Sequence, residues 1–433
     1  MRRHRMRLAV AGAIVALVTA GCGLLGGGGG NRPTGEIGGT VSVLGTWGGS
    51  EQESFLAMVR PFEEATGVTV QYEGTRDLNA VLTTRVQGNN PPDVAGLPGP
   101  GQMAELARDG ALVGLEDIID MNQLGNEYAQ SWIDLGSVDG TLYGIFIKTS
   151  TKGFIWYDPN VWEAEGFDFP ETWDELSAMY GQMRDGSTRP WCIGLESGDA
   201  SGWPGTDWLE DIVLRQSGPE VYRQWYEGEI AWTSPEIRQA WETWGEIIPD
   251  QVFGGSNYML ATAFGNGGDP LFSDPPGCYM HHQASFITDF FVDNNPGLEP
   301  VTDFRFFGFP TINTEYEGAL EVAGDLFGMF NDTPQARALI KYLTTPEAQQ
   351  IWVERGGALS PNREVDLSAY PDEISREIAE LLTGADVTVF DASDLMPLQM
   401  QDAFHGSVLE FVENPGNLDS ILEELDRVRS EAY

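Results

Sequence analysis

From Val41 to Arg108 the chain alternates between strand-like and helix-like periodicity, and no other feature restricts its fold so strongly. Val41, Ser42, Val43 and Leu44 read as a short buried strand. Ser50 with Glu53 three residues on is a capping-box signal, and Phe55, Met58, Val59 and Phe62 then fall on one helical face. Pro61 sits inside that helix and predicts a kink. Gly67 ends it, and Val68, Val70 and Tyr72 alternate as a second strand. Strand, helix and strand over about thirty residues demand a parallel pair with a right-handed crossover. A helix over Leu78–Val86, a strand over Asp93–Leu97 and a helix over Gly101–Arg108, stopped by Gly110, continue the pattern. The expectation is an open doubly wound α/β lobe. Such sheets bind ligands beyond the carboxyl ends of their strands, here Gly45–Glu51, Glu73–Asp77 and Pro98–Gln102.

The middle of the chain reads as a second α/β region. Its expected strands are Phe154–Tyr157, Trp191–Leu195, Cys278–His281 and Phe304–Phe309, and Thr172 with Glu175 caps a helix. Trp232, Trp241 and Trp244 are expected to pack helices. The last third is helical: Thr333-Pro334 and Thr345-Pro346 are N-cap and N1 pairs, and Leu418, Ile421, Leu422, Leu425 and Val428 make a closing amphipathic helix.

The first residues read as an export signal. Arg2, Arg3, Arg5 and Arg7 precede an uncharged apolar run, Leu8–Val18, shorter than the roughly 20 residues a permanent span needs. Thr19-Ala20-Gly21-Cys22 resembles a bacterial lipobox, which implies lipidation of Cys22; an ordinary cleaved signal with a chance cysteine is the alternative. Gly23–Gly39 is too glycine-rich to form a core and is expected to be a tether. In that oxidising compartment Cys192 and Cys278 can form one disulfide or remain two buried thiols. The cysteines lack metal-ligand spacing, and neither a metal nor a cofactor is expected.

The formal net charge is −42, from 66 acidic and 24 basic residues, and Lys148, Lys152 and Lys341 are the sole lysines. Nucleic acid would be repelled. The charge is spread along the whole chain, which favours adaptation to salty surroundings over selection of a cationic solute.

Several segments together carry a resemblance: FEEATGVTV at 62–70, PDV at 92–94, DGTLYG at 139–144, PETWDEL at 170–176, LTTPEAQ at 343–349 and GG at 356–357. In this order they resemble the family 1 extracellular solute-binding proteins of ABC importers. PWCIGLES at 190–197 with GWPGTDWLE at 202–210 looks similar to the α-glucoside-binding branch, which includes maltose- and trehalose-binding proteins. The resemblance implies a two-lobed, periplasmic-binding-protein-like class II α/β fold, each lobe a doubly wound sheet, with the sugar in the cleft between them. It implies chain crossings near Ile145–Thr149, Ile312–Ala323 and Ser360–Leu367. The expected organisation is a signal peptide over 1–21, a tether over 22–39, lobe one over 40–147 and 319–362, and lobe two over 148–318 and 363–433. The implied partners are a small sugar and ABC permease subunits with a cytoplasmic ATPase. The membrane is touched through the lipid anchor alone, and the protein is expected to be an extracellular monomer. His405 stands near the place, after Met396-Pro397, where maltose-binding relatives carry an aromatic residue.

Sugar recognition needs aromatic faces for the apolar side of a pyranose and charged or amide groups for its hydroxyls. Trp47, in a glycine-flanked loop, fits ligand contact or packing. Glu51 sits at a helix start, and Arg76 and Asp77 follow a strand, where a surface ion pair is the alternative. Residues 201–208 read as an exposed turn projecting Trp203 and Asp207, with Trp208 in the core. Gln283 and Asp325 offer hydrogen bonds to hydroxyls, and Gly324 would let backbone approach a ligand. Lys148 and Lys152 flank the first crossing, where a hinge salt bridge explains them equally well.

No Ser-His-Asp order, metal motif or phosphate loop appears, and carboxylates are too numerous to suggest a glycoside hydrolase. The expectation is therefore a receptor without chemistry. A polyamine receptor is the alternative, but the mixture of Arg76, Gln283 and Trp203 suits a neutral polyol better than a cation.

Overall fold

The computed structural model describes residues 36–433, residue 386 excepted. Cys22, the export signal and most of the tether lie outside the described residues. Where the described chain begins, Ile37 and Gly38 donate to the carbonyl of Thr66, and Gly39 accepts from Thr69, so the expected tether stops short of Ile37.

The first strands form as the hydrophobic alternation requires. They are β1 (Thr40–Gly45), β2 (Thr69–Gly74) and β3 (Val94–Leu97), and β1 pairs in parallel with both others. Helix Gly49–Thr66 connects β1 to β2 and buries Phe55, Met58, Val59 and Phe62, the four residues on its apolar face. It ends at Gly67, whose φ of 68° is left-handed. Its start differs from expectation. Gly48 is the N-cap and no side chain caps it, because the helix begins a turn-fraction early and carries Ser50 and Glu53 inside. It runs through Pro61 to Thr66.

The hairpin of β4 (Ser137–Val138) and β5 (Thr141–Leu142) leads into β6 (Gly144–Thr151), all eight residues of which are buried. Two residues later β7 (Phe154–Tyr157) begins a second sheet with β8 (Arg189–Cys192), β9 (Cys278–Gln283) and β10 (Arg305–Gly308), in the order β10-β7-β9-β8. β8 and β9 are parallel, whereas β7 runs antiparallel to both neighbours. A disulfide joins Cys192 to Cys278 at a Cα separation of 5.6 Å.

β11 (Ala319–Met329) returns to the first sheet, and β12 (Val387–Phe390) lies parallel to its opening residues, Ala319–Val322. The larger sheet is ordered β12-β11-β3-β1-β2, with β6 antiparallel to β11. β12 thus joins the larger sheet although its segment, 363–433, is expected in lobe two. The helices after it do pack on the second lobe: Phe404, Val408, Phe411, Leu422 and Leu425 share one core with Trp208, Trp225, Trp232, Trp241 and Trp244.

Local chemistry sets many helix starts. Thr172 and Glu175 complete a capping box, and Thr333 and Thr345 cap helices that place Pro334 and Pro346 first. The chain passes between the two sheets after β6 and before β11, and Thr149 of β6 exchanges backbone hydrogen bonds of 2.9 and 3.0 Å with Leu359. These connections make the floor of the space between the lobes.

Candidate functional site

A cleft open to solvent lies over that floor. Six of the expected residues line it: Trp47, Glu51, Arg76, Trp203, Gly324 and Asp325. One wall comes from the ends of β1 and β2, as a parallel sheet dictates. Glu51, in the first turn of helix Gly49–Thr66, accepts from Lys148 Nζ at 2.7 Å and from Arg76 Nη2 at 2.9 Å. Burial opposes ionisation of Glu51, but these two cations outweigh it and hold its pKa below the usual range. Asp325, 4.0 Å from Lys148, is pushed up to about 6, mainly by burial and further by the charge of Glu51. Trp47 is 2 % exposed, packed into the wall and lining the cleft at once. Its ring packs on Phe55, Phe327 and Trp352, with centroids 5.5, 5.6 and 4.6 Å away, while its edge borders the cleft.

The facing wall is aromatic. Trp203 touches Phe264 and Phe286, at 5.1 and 6.0 Å between centroids. Residues 201–208 form a helix start rather than an exposed turn: Trp203 opens helix Trp203–Tyr226 and Gly202 is its N-cap. Gly202 has φ 110°, and a Cβ there would stand 2.4 Å from the His405 carbonyl oxygen. Only glycine lets this helix end approach helix Leu398–Glu413 so closely. The helical turn aims Trp203 at the cleft, half-buried, and sends Trp208 into the core.

Three expected residues do not line the cleft. Asp207, one turn along the helix from Trp203, is buried beneath the floor and accepts from Lys152 Nζ at 2.7 Å. Gln283 is buried at the end of β9; its side chain accepts from the Ala284 amide at 2.7 Å and its carbonyl from Trp156 Nε1, so it has a folding role. Asp77 stands at the rim, where its Oδ1 accepts from the Asp199 amide across the cleft at 3.1 Å. Gly324 lines the cleft, but its lack of a side chain is also needed for sheet pairing. A Cβ would meet Phe146 Cδ1 at 2.9 Å and the Lys148 carbonyl oxygen at 3.0 Å.

The floor holds what the sequence reading left undecided or missed. Lys148 and Lys152, four residues apart on β6 and the turn that follows it, both line the cleft. Each ammonium is set among carboxylates and near aromatic rings. Lys148 has Glu51 and Asp325, with Trp352 at 5.1 Å and Phe286 at 5.5 Å. Lys152 has Asp207 and Asp391, with Trp203 at 5.4 Å. Burial works against the charge of Lys152, but Asp207 and Asp391 raise its pKa well above normal. Beneath it, Glu321 is wholly buried with both carboxyl oxygens lacking a hydrogen-bond partner among the described residues. One oxygen each of Asp207, Glu321 and Asp391 lie within 4.8 Å of one another. Burial above all drives Glu321 well above the carboxylate range. Lys152 is the cation of this cluster, and burial favours the neutral form of Glu321. His405 also lines the cleft, with neither ring nitrogen hydrogen-bonded among the described residues and its pKa lowered to about 4 by burial. Asn79, Ser150, Asp391, Ser393 and Gln401 supply further polar lining. Phe264 and Phe286 carry no sequence signal distinguishing them from core phenylalanines.

The arrangement can grip a solute without reacting with it: one wall is apolar and ringed, the other charged and internally neutralised. The comparisons with known proteins agree. Residues 48–350 match the model of the bacterial extracellular solute-binding protein family. The osmoprotective compounds-binding protein GgtB of Synechocystis sp. is 41% identical over 82% of this chain and 84% of its own. The alpha-glucosides-binding periplasmic protein AglE of Rhizobium meliloti is 36% identical over 88% and 85%. Among solved structures, a chitin oligosaccharide binding protein superposes with a TM-score of 0.78 at 20% identity, covering 91% of this chain and 98% of that one. The chain therefore belongs to the bacterial extracellular solute-binding proteins, the non-enzymatic receptors of ABC importers.

Proposed function

We propose that this receptor captures a short, neutral α-glucoside and hands it to the permease subunits of an importer driven by a cytoplasmic ATPase. The observation that carries the reading is the charge pairing of the cleft. Arg76, Lys148 and Lys152 are each already bound to carboxylates, and Glu51, Asp207 and Asp391 are each already bound to cations. An anion would have to displace an acid from its cation, at several kcal/mol for buried partners, and a polyamine would meet Asp325 and Asp394, which burial biases toward their neutral form. A hydroxyl can accept from an ammonium and donate to a carboxylate without breaking either pair. Trp203, with Phe264 and Phe286, offers the apolar surface for a pyranose. The α-glucosides and osmoprotective compounds in the names of the two relatives support the same solute class.

In this reading Trp47, Glu51, Arg76, Trp203, Gly324 and Asp325 face the ligand, while Asp207 holds Lys152 beneath it. Cys22 carries the lipid that keeps the monomer at the outer face of the membrane. Titration calorimetry with trehalose, maltose, sucrose and spermidine tests the ligand class. Binding of a disaccharide with no heat from spermidine is expected; tight spermidine binding overturns the reading. Mass spectrometry of the membrane-extracted protein should find diacylglycerol on Cys22, and an unmodified secreted chain would refute the anchor.

A further inference from the structure

Asp77 and the segment around Gly198 do more than border the cleft. Residues 76–79 follow β2 of the larger sheet, and residues 197–200 follow β8 of the smaller one. Both segments contribute cleft lining, and the hydrogen bond from the Asp199 amide to Asp77 Oδ1 joins them at the rim. The receiving turn is fixed by its own bonds. The Ser197 amide donates to Ser201 Oγ, Ser201 Oγ donates to the Gly198 carbonyl, and the Gly198 amide donates to Glu196 Oε1. Gly198 has φ +59°, and a Cβ there would stand 2.7 Å from Asp77 Oδ1. A side chain at this position would occupy the space the carboxylate uses. Beside this bond the Arg76 guanidinium lies 4.9 Å from the Phe264 ring of the facing wall.

We propose that Asp77 is a latch that holds the two lobes together across the cleft mouth whether or not solute is bound, and that salt strengthens it because it closes between like-charged segments. The second half follows from what surrounds the bond. Asp77 brings its carboxylate to Gly198, which the Glu196 carboxylate also contacts, and Asp199 carries its own. Arg76, the neighbouring cation, is bound to Glu51. Asp402 also faces this region, with its pKa raised by burial and by the charge of Asp199. The latch bond is exposed, so its surroundings are open to screening ions. At low ionic strength the charges oppose closure over about 10 Å or more, whereas in molar salt the repulsion fades within about 3 Å.

The latch needs no knowledge of the solute, so it goes beyond the proposed sugar specificity and is tested without it. Hydrogen exchange by mass spectrometry, read on peptides covering residues 196–202, reports the Asp199 amide in wild type, Asp77→Ala, Asp77→Asn and Gly198→Ala. The expected result is exchange roughly three- to tenfold faster in Asp77→Ala and Gly198→Ala, with the melting temperature of Asp77→Ala little changed and that of Gly198→Ala lowered by the left-handed backbone its alanine must adopt. Asp77→Asn keeps an acceptor and loses the charge, so it should stay protected and lose most of the salt dependence. Wild-type protection should rise from about 0.05 to about 2 M NaCl as screening shortens. Unchanged exchange in both Asp77→Ala and Gly198→Ala overturns the latch. Protection in wild type that ignores salt overturns its electrostatic half. Trehalose dissociation measured on the same variants adds a functional reading: a faster off-rate in Asp77→Ala is expected, and an identical one counts against the latch. If trehalose binds none of the proteins, the sugar assignment fails while the exchange result still stands.

Discussion

Lys152→Met is the substitution from which most can be learned. Methionine replaces the stem of the lysine with a similar volume and removes the ammonium. In the wild-type protein Lys152 is 4 % exposed and its ammonium lies 2.7 Å from Asp207, paired with Asp391, and close to Glu321, whose carboxylate has no hydrogen-bond partner among the described residues. Removing one partner of a buried ion pair costs about 3–5 kcal/mol, because the remaining charges stay buried. Here two carboxylates lose their cation at once, so the upper part of that range applies unless they take up protons. The folded-to-unfolded ratio should fall on the order of a thousandfold. Urea denaturation followed by tryptophan fluorescence measures this at neutral pH. Two controls separate electrostatics from packing. The loss should shrink at about pH 5, where Asp207 and its neighbours protonate more readily, and the double variant Lys152→Met, Asp207→Asn should recover part of it. A variant as stable as wild type at neutral pH would show that the cluster does not need its ammonium, and the account of the cleft floor given above would be wrong.

Trp203→Ala should weaken binding of the sugar by roughly 1–3 kcal/mol, about ten- to a hundredfold, with little change in melting temperature; a protein that no longer folds would make Trp203 a core residue instead. Asp289 and Asp325 are raised from 3.8 to about 7 and about 6, chiefly by burial. A raised carboxyl binds more protons when folded, so its stabilisation is full below the unfolded value and lost as pH rises through the folded one. Melting temperature should therefore fall from about pH 5 to about pH 8, and a rise over that window would refute the assignment. Replacing Cys192 and Cys278 by serine should cost roughly 2–5 kcal/mol, since the bridge closes a loop over a sequence separation of 86. Equal urea midpoints for the oxidised wild type and the double serine variant would contradict this.

Local chemistry was the most legible part of the sequence. Gly67, Thr172, Thr333 and Thr345 mark helix ends through interactions within a few residues, and the structure uses them so. The alternation of residues 41–97 likewise determines β1, β2 and β3 and the wall at their ends. Ser50 misled because a glycine can start a helix without any side-chain signal. Asp207 and Gln283 have the hydrogen-bonding chemistry of a sugar site but lie buried outside the cleft lining. Whether a residue four positions after Trp203 faces the cleft depends on how its segment is wound, and a Gly-Trp-Pro-Gly run looks like a turn until Gly202 is seen to fit beneath His405. Asp391 and Ser393 were invisible. They reach the floor only because β12, remote in sequence, docks beside β11.

That docking has a consequence for how the chain acquires its structure. The strands of the first lobe are among the earliest made, yet β3 finds its outer neighbour only in β11, residues Ala319–Met329. Until then β3 offers an open, fully apolar edge, Val94–Leu97, to any other strand it meets. The second lobe in turn waits for the C-terminal helices that complete its tryptophan-rich core. Neither half can therefore mature alone, and contacts of such long sequence range make folding slow. A fragment ending before β11 should aggregate rather than yield a free first lobe.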